Sequence, residues 1–205
     1  MNNVIIDGPE QAELTFIFAH GAGADMHHEF MEAVAKQVAN QGIRVVRFNF
    51  PYMIKRAEDG KRRPPDRAPK LLEAFTEVVE RFGRGKTIIG GKSMGGRMAS
   101  HLETLDVQGI VCLGFPFHPP GKPEKDKGEH LASMTKPTLI LQGERDTFGN
   151  RSELESYPFS DAVRLTFVPD GDHSFKPRKA SGYTEVGNRQ LAAEHIVSFV
   201  REVCQ

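Results

Sequence analysis

Six short apolar runs recur along this chain, spaced so that a helix fits between most neighbouring pairs. That alternation narrows the possible architectures more than any other feature. The runs cover 15–18, 44–48, 87–89, 109–113, 138–141 and 163–168. Most are continuous and β-branched or aromatic, as in strands covered on both faces. Between them Phe30, Val34 and Val38 repeat every four residues, with Gly42 beyond as a stop. Leu71, Phe75, Val78, Val79 and Phe82 form a second helical stripe between Pro69 and Gly83. Ala192, Ile196, Phe199, Val200 and Val203 form a third near the end of the chain. Alternating β and α units predict an α/β fold: a doubly wound, mostly parallel sheet of about six strands with helices on both faces. The length of 205 residues fits a single domain over 1–205.

In such sheets ligands bind beyond the carboxyl ends of the strands. The third run leads there into Gly91-Lys92-Ser93-Met94-Gly95, followed by a helical pattern. A serine with glycines two residues away on each side, at a strand-to-helix junction, is the pattern of a nucleophile elbow. The reason is crowding. The turn forces the serine into a strained conformation, and a side chain at 91 or 95 would strike the neighbouring strand or helix. Two phosphate-binding readings fail on spacing. A phosphate loop needs glycine five positions before Gly91, where the chain has Lys86. A dinucleotide fingerprint starting at Gly21-Ala22-Gly23 would place its third glycine at Met26, and the next strand ends in Asn49 rather than an acid.

A serine hydroxyl needs a base, and the base needs an orienting group. In this architecture they follow in the order serine, acid, histidine. Asp146 follows the fifth run through Gln142-Gly143-Glu144-Arg145, and His173 follows the sixth through Pro169-Asp170-Gly171-Asp172. Glu144 is the alternative acid, but it falls inside the turn and reads as solvated; Asp172 reads as a turn residue. His195 reads as a partly buried structural histidine. The adjacent His27 and His28 fall in the first turn of a helix, and no third ligand stands at metal spacing. The developing oxyanion needs donors aimed at it. One is the backbone N–H of Met94. The other is assigned to the N–H of Ala22, with Gly23 as the alternative, in the flexible loop His20-Gly21-Ala22-Gly23-Ala24. His20 reads as fixing that loop by hydrogen bonding.

Together, His20-Gly21-Ala22-Gly23, Gly91-Lys92-Ser93-Met94-Gly95, Gly143-Glu144-Arg145-Asp146 and Gly171-Asp172-His173-Ser174-Phe175 resemble the α/β-hydrolase superfamily. More narrowly the chain is similar to small hydrolases without a cap domain, related to dienelactone hydrolases, although those use cysteine where this chain has Ser93. It also resembles a hydrolase-like family that includes a testis-expressed protein and a subunit of a histone-acetyltransferase complex. The resemblance implies a triad of Ser93, Asp146 and His173. It implies a serine hydrolase acting on a small ester or thioester through an acyl-enzyme. The alternative it leaves is a non-catalytic interaction module. Cap domains of the superfamily follow the strand after the elbow helix. Here that connection is short and carries Pro116, Pro119, Pro120 and Pro123, so an open, shallow site is expected. Phe117, His118, Phe148 and Phe175 are the expected substrate-binding residues, with Phe115 and Tyr52 as further candidates.

The remaining composition mostly excludes. Lysine plus arginine and aspartate plus glutamate number 27 each, so the net charge gives no reason to expect nucleic acid or an anionic membrane as partner. The start of the chain lacks the basic and apolar regions of a signal peptide. Two cysteines, Cys112 and Cys204, suit reduced thiols and a cytoplasmic protein. No cofactor and no metal is expected. The 55–70 segment holds seven basic residues against Glu58, Asp59 and Asp66. It reads as a solvated loop starting at the functional edge, with an anionic substrate or acidic partner as the alternative.

Overall fold

The computed structural model describes residues 3–205. Its strands are β1 (Val4–Asp7), β2 (Leu14–Ala19), β3 (Arg44–Phe48), β4 (Lys86–Lys92), β5 (Gly109–Leu113), β6 (Thr138–Gly143) and β7 (Val163–Val168). They form one sheet in the order β1-β3-β2-β4-β5-β6-β7. From β2 to β7 every pairing is parallel, whereas β1 runs antiparallel to β3, with Val4 opposite Phe48 and Asp7 opposite Val45. The sheet thus has seven strands rather than about six. The extra one is an edge strand of four residues, pinned by Asp7, whose carboxylate accepts from Arg47 Nε at 2.8 Å.

Side chains alternate between the faces of the sheet, so each strand feeds two cores. Phe16, Phe18, Val111 and Leu113 pack with Phe30, Val34, Ile196 and Phe199, residues of α1 (Glu29–Ala39) and α6 (Glu185–Val203). Ile17, Ala19, Ile110 and Cys112 pack on the other side with Leu71, Phe75 and Met98. Those three belong to α3 (Ala68–Phe82) and α4 (Met94–Ser100). Cys112 and Cys204 are both buried and free. Among the described residues, no helix is long and apolar enough to cross a membrane.

The 55–70 segment is not one loop. Lys55 and Arg56 lie on α2 (Pro51–Asp59), and Lys70 lies in the first turn of α3. Pro51 opens α2, where its fixed φ and missing N–H are tolerated, and Gly60 closes it at φ 70. Tyr52 and Met53 are the buried residues of α2, and its other side chains are half-buried or exposed. The connection from β5 to β6 contains one 3-10 turn, Glu129–Ser133, and no inserted domain, and that from β6 to β7 holds the single-turn helix α5 (Arg151–Leu154).

Strand order fixes the location of the site. The chain leaves β2 toward β3 and then crosses back to β4, so the loops after β2 and β4 diverge from adjacent strand ends. That is the switch point at which open α/β sheets hold ligands. Ala19 pairs with Gly91 there.

Candidate active site

Ser93 sits between the end of β4 and the start of α4 with φ 51 and ψ −116. A non-glycine residue keeps a positive φ only where its surroundings enforce it. The enforcing contacts lie on both sides. A β-carbon on Gly91 would come 2.5 Å from the Gly95 carbonyl carbon and 2.6 Å from the Ala19 oxygen. One on Gly95 would come 2.6 Å from the oxygens of both Ala19 and His20. Both glycines are therefore required for the turn to close, as the spacing predicted.

Ser93, His173 and Asp146 come from three different strand ends and form one chain of hydrogen bonds. Asp146 Oδ2 accepts from His173 Nδ1 at 2.8 Å. That places the ring proton on Nδ1, so Nε2 accepts from the Ser93 hydroxyl, 2.9 Å away. Asp146 is fully buried. Its Oδ2 also accepts from Gln142 Nε2 at 3.0 Å, and its Oδ1 from the Phe148 N–H at 2.8 Å. Glu144 is occupied elsewhere, accepting from Arg151 at 2.8 Å and from the Asp170 N–H at 2.7 Å.

Gln142 and Asn188 carried no sign in the sequence of what they hold. Gln142, buried at the end of β6, donates from one amide nitrogen to Asp146, to Phe115 O at 3.2 Å and to Gly149 O at 3.0 Å. It thereby ties the acid to two neighbouring loops. Asn188 on α6 donates to Pro169 O and Phe175 O, both at 2.9 Å, and so clamps each side of the His173 turn. Within that turn Asp172 Oδ1 accepts from the N–H groups of Ser174 (2.8 Å) and Lys176 (3.0 Å), the turn role expected of it. Asp170 anchors the base of the turn. The Arg178 guanidinium hydrogen-bonded to it holds its carboxyl at about 2, below the usual 3.8.

The loop after β2 is fixed by His20, which is fully buried. Its Nδ1 donates to Gly21 O at 2.7 Å and its Nε2 accepts from the Phe50 N–H at 3.0 Å, an arrangement open only to the neutral ring. Burial lowers its pKa from the ordinary 6.5 to about 4. The Tyr52 hydroxyl adds a bond to Ala22 O at 2.9 Å. The loop lies against the elbow, for a β-carbon on Gly21 would stand 3.6 Å from that of Ser93. Among the described residues no acceptor takes the N–H of Ala22 or Met94, so both remain free to donate.

Of the four residues expected to contact substrate, only Phe148 is at the site, its ring centroid 4.3 Å from that of His173. Phe117 is a correction, being buried against Tyr157 and Phe159. Phe175 is another; at φ 67 its ring turns into the core against Phe30. His118 is buried beneath the surface, with Nδ1 2.9 Å from Pro119 O and Nε2 3.4 Å from a Glu153 carboxylate oxygen. Phe115 is likewise fully buried. An aromatic residue just after a strand is as useful for sealing the loop as for meeting a ligand. His28 is also placed slightly differently, as the N-cap of α1 rather than in its first turn, accepting the Phe30 N–H on Nδ1.

The fold recurs in solved structures. An α/β serine hydrolase homologue from Coxiella burnetii matches with TM-score 0.69 and 18% identity, over 95% of this chain and 89% of that one. A lidless α/β serine hydrolase from Xanthomonas campestris matches with TM-score 0.68 and 22% identity, over 97% and 88%. A thermophilic esterase from Thermogutta terrifontis matches with TM-score 0.69 and 14% identity, over 98% and 93%. At such identities the likeness is one of fold. The family model described as an alpha/beta hydrolase domain matches residues 12–201, nearly the whole chain. With that match and a seven-stranded sheet carrying a strained serine at its switch point, the chain belongs to the α/β-hydrolase family.

Proposed function

We propose that this protein is a serine hydrolase that cleaves a small ester or thioester through an acyl-enzyme, acting as one α/β domain in a reducing compartment. The observation that carries this reading is the unbroken hydrogen-bond chain from the Ser93 hydroxyl through His173 to buried Asp146, at 2.9 and 2.8 Å. Ser93 Oγ attacks the carbonyl carbon while His173 Nε2 takes its proton. The free N–H groups of Ala22 and Met94 donate to the oxyanion. Nε2 then passes the proton to the departing alcohol or thiol, and the acyl group stays on Ser93. Water, deprotonated by the same nitrogen, attacks the acyl carbon; the bond to Ser93 Oγ breaks, Nε2 returns the proton to Oγ, and the acid leaves. Asp146 holds the ring so that Nε2 faces Ser93 and balances the charge the ring acquires. The half-buried ring of Phe148, beside His173, borders the reacting carbonyl. The lidless hydrolase and the esterase among the structural neighbours favour the same chemistry over a non-catalytic role.

Hydrolysis of p-nitrophenyl acetate tests the reading. Ser93→Ala is expected to slow it by a factor on the order of 10⁴. Equal rates in the two proteins would refute it.

A further inference from the structure

Tyr52, a candidate for substrate contact in the sequence, is 2% exposed and packs in the core with Phe50 and Phe75. Its hydroxyl reaches the loop after β2, where it donates to Ala22 O at 2.9 Å and lies 3.3 Å from Gly21 O. Gly21 O also accepts from His20 Nδ1 at 2.7 Å, so the Gly21–Ala22 peptide is held twice. The Ala22–Gly23 peptide is held once. Ala22 and Gly23 are exposed, and a β-carbon on Gly23 would meet nothing within 4 Å, so packing does not fix that peptide. Among the described residues the Tyr52 hydroxyl is its one hydrogen-bond partner.

In a planar trans peptide the N–H points opposite to the C=O. Two successive carbonyls drawn to one hydroxyl therefore set two successive N–H groups, those of Ala22 and Gly23, on the opposite side. Neighbouring N–H groups turned the same way form an anion-binding concavity. Tyr52 occupies the core side of the loop, so both N–H groups face outward. There the loop meets the elbow, for a β-carbon on Gly21 would stand 3.5 Å from Lys92 O and 3.6 Å from Ser93 Cβ. The Gly23 N–H, like those of Ala22 and Met94, has no acceptor among the described residues. Burial pushes the Tyr52 phenol well above its ordinary 10, so the hydroxyl remains a donor through neutral and mildly alkaline pH.

We propose that the N–H of Gly23 is a third oxyanion donor beside those of Ala22 and Met94, and that Tyr52 is the positioning residue that aims it. The inference rests on the Ser93 reading above, and it divides the loop between two clamps. His20 holds the peptide that carries the Ala22 N–H, and Tyr52 holds the one that carries the Gly23 N–H. As Ser93 Oγ bonds to the carbonyl carbon, the π pair of the carbonyl moves onto its oxygen, and that anion is what the three donors meet. A donor already aimed needs no reorganisation at that moment. Losing one outright costs on the order of 10²–10³ in kcat. Removing the Tyr52 hydroxyl leaves the Gly23 N–H present but unaimed, and a smaller loss follows.

The test compares the wild type with Tyr52→Phe, which keeps the buried ring, by p-nitrophenyl acetate kinetics and by inhibition with two ketones. Trifluoroacetophenone forms a hemiketal with the serine that carries the oxyanion, whereas the less electrophilic acetophenone does not. In the variant we expect kcat about ten-fold lower and KM within about two-fold. Trifluoroacetophenone should bind about ten-fold more weakly, and acetophenone equally well. Wild-type kcat in the variant would overturn the inference. So would equal weakening of both ketones, which marks a structural residue. A second measurement needs no variant. In wild type made with glycine labelled at its nitrogen, trifluoroacetophenone should move the Gly23 N–H proton signal downfield. A signal that stays in place would overturn the inference even if Tyr52→Phe does not fold. If the wild type turns over, Ser93→Ala does not and Tyr52→Phe behaves as wild type, this inference falls while the Ser93 reading stands. A wild type that cleaves no ester or thioester ends both.

Discussion

Ser93 bears backbone strain that a glycine would not. A positive φ on a residue with a β-carbon costs on the order of 1–3 kcal/mol, while glycine adds unfolded-chain entropy that offsets part of any relief. Ser93→Gly is therefore expected to be more stable in urea by about 1 kcal/mol and to have lost ester hydrolysis. A less stable variant would show that the turn is not strained. Gln142 makes a converse prediction. Gln142→Leu removes a donor to Asp146 and leaves Gly149 O buried without a partner among the described residues, while Phe115 O keeps the Phe117 N–H. A loss of about 2 kcal/mol in urea, with slower turnover, is expected. That Ser93, Asp146 and His173 would meet was legible in the sequence, because motif, order and strand ends all pointed to them. Gln142 was not, since a glutamine at a strand end looks the same whether it meets solvent or a carboxylate. Phe117 and Phe175 misled for a related reason: an aromatic after a strand shows neither its χ angles nor the local φ that turns it inward.

Among the elements, α6 does more than cover the sheet. Its Asn188 clamps the His173 turn at Pro169 and Phe175, so Asn188→Ala frees that turn without touching Ser93. We expect kcat to fall about ten-fold with KM little changed, and amide exchange across 169–175 to quicken. Unchanged exchange would mean that the turn holds itself. The strands β2 to β6 were legible because strands covered on both faces are largely apolar, which leaves short apolar runs. Half-buried β7, with Arg164 exposed, showed through its β-branched and aromatic residues. Three elements escaped, among them the single-turn α5, too short to show a periodicity. The edge strand β1 has four residues and gains its place only by pairing with β3, a contact no local pattern announces. Helix α2 buries only Tyr52 and Met53 and carries Lys55 and Arg56, so charge masked its helical character.

The whole molecule should be sensitive to mild acid through buried histidine. His20 titrates at about 4 when folded, against an ordinary 6.5, because burial disfavours its charged form. The unfolded chain therefore takes up a proton first, and stability falls as pH drops from about 6.5 to 4, by on the order of 3 kcal/mol for His20. Half-buried His130, lowered to about 4 mainly by burial, adds to the same slope. Asp170 enters lower. Its stabilising pair with Arg178 is complete above about 3.8 and is lost as pH falls toward about 2. Urea midpoints between pH 7 and 4 should trace the decline, and His20→Asn should flatten it. The chemical claim for the molecule, that the residue strained at the switch point is a working nucleophile, has its own direct measurement. The native protein is treated with a fluorophosphonate probe and its peptides are mapped by mass spectrometry. One adduct is expected, on Ser93, absent in Ser93→Ala and strongly slowed in His173→Ala. A wild-type protein that remains unlabelled, or is labelled elsewhere with Ser93 untouched, would contradict it.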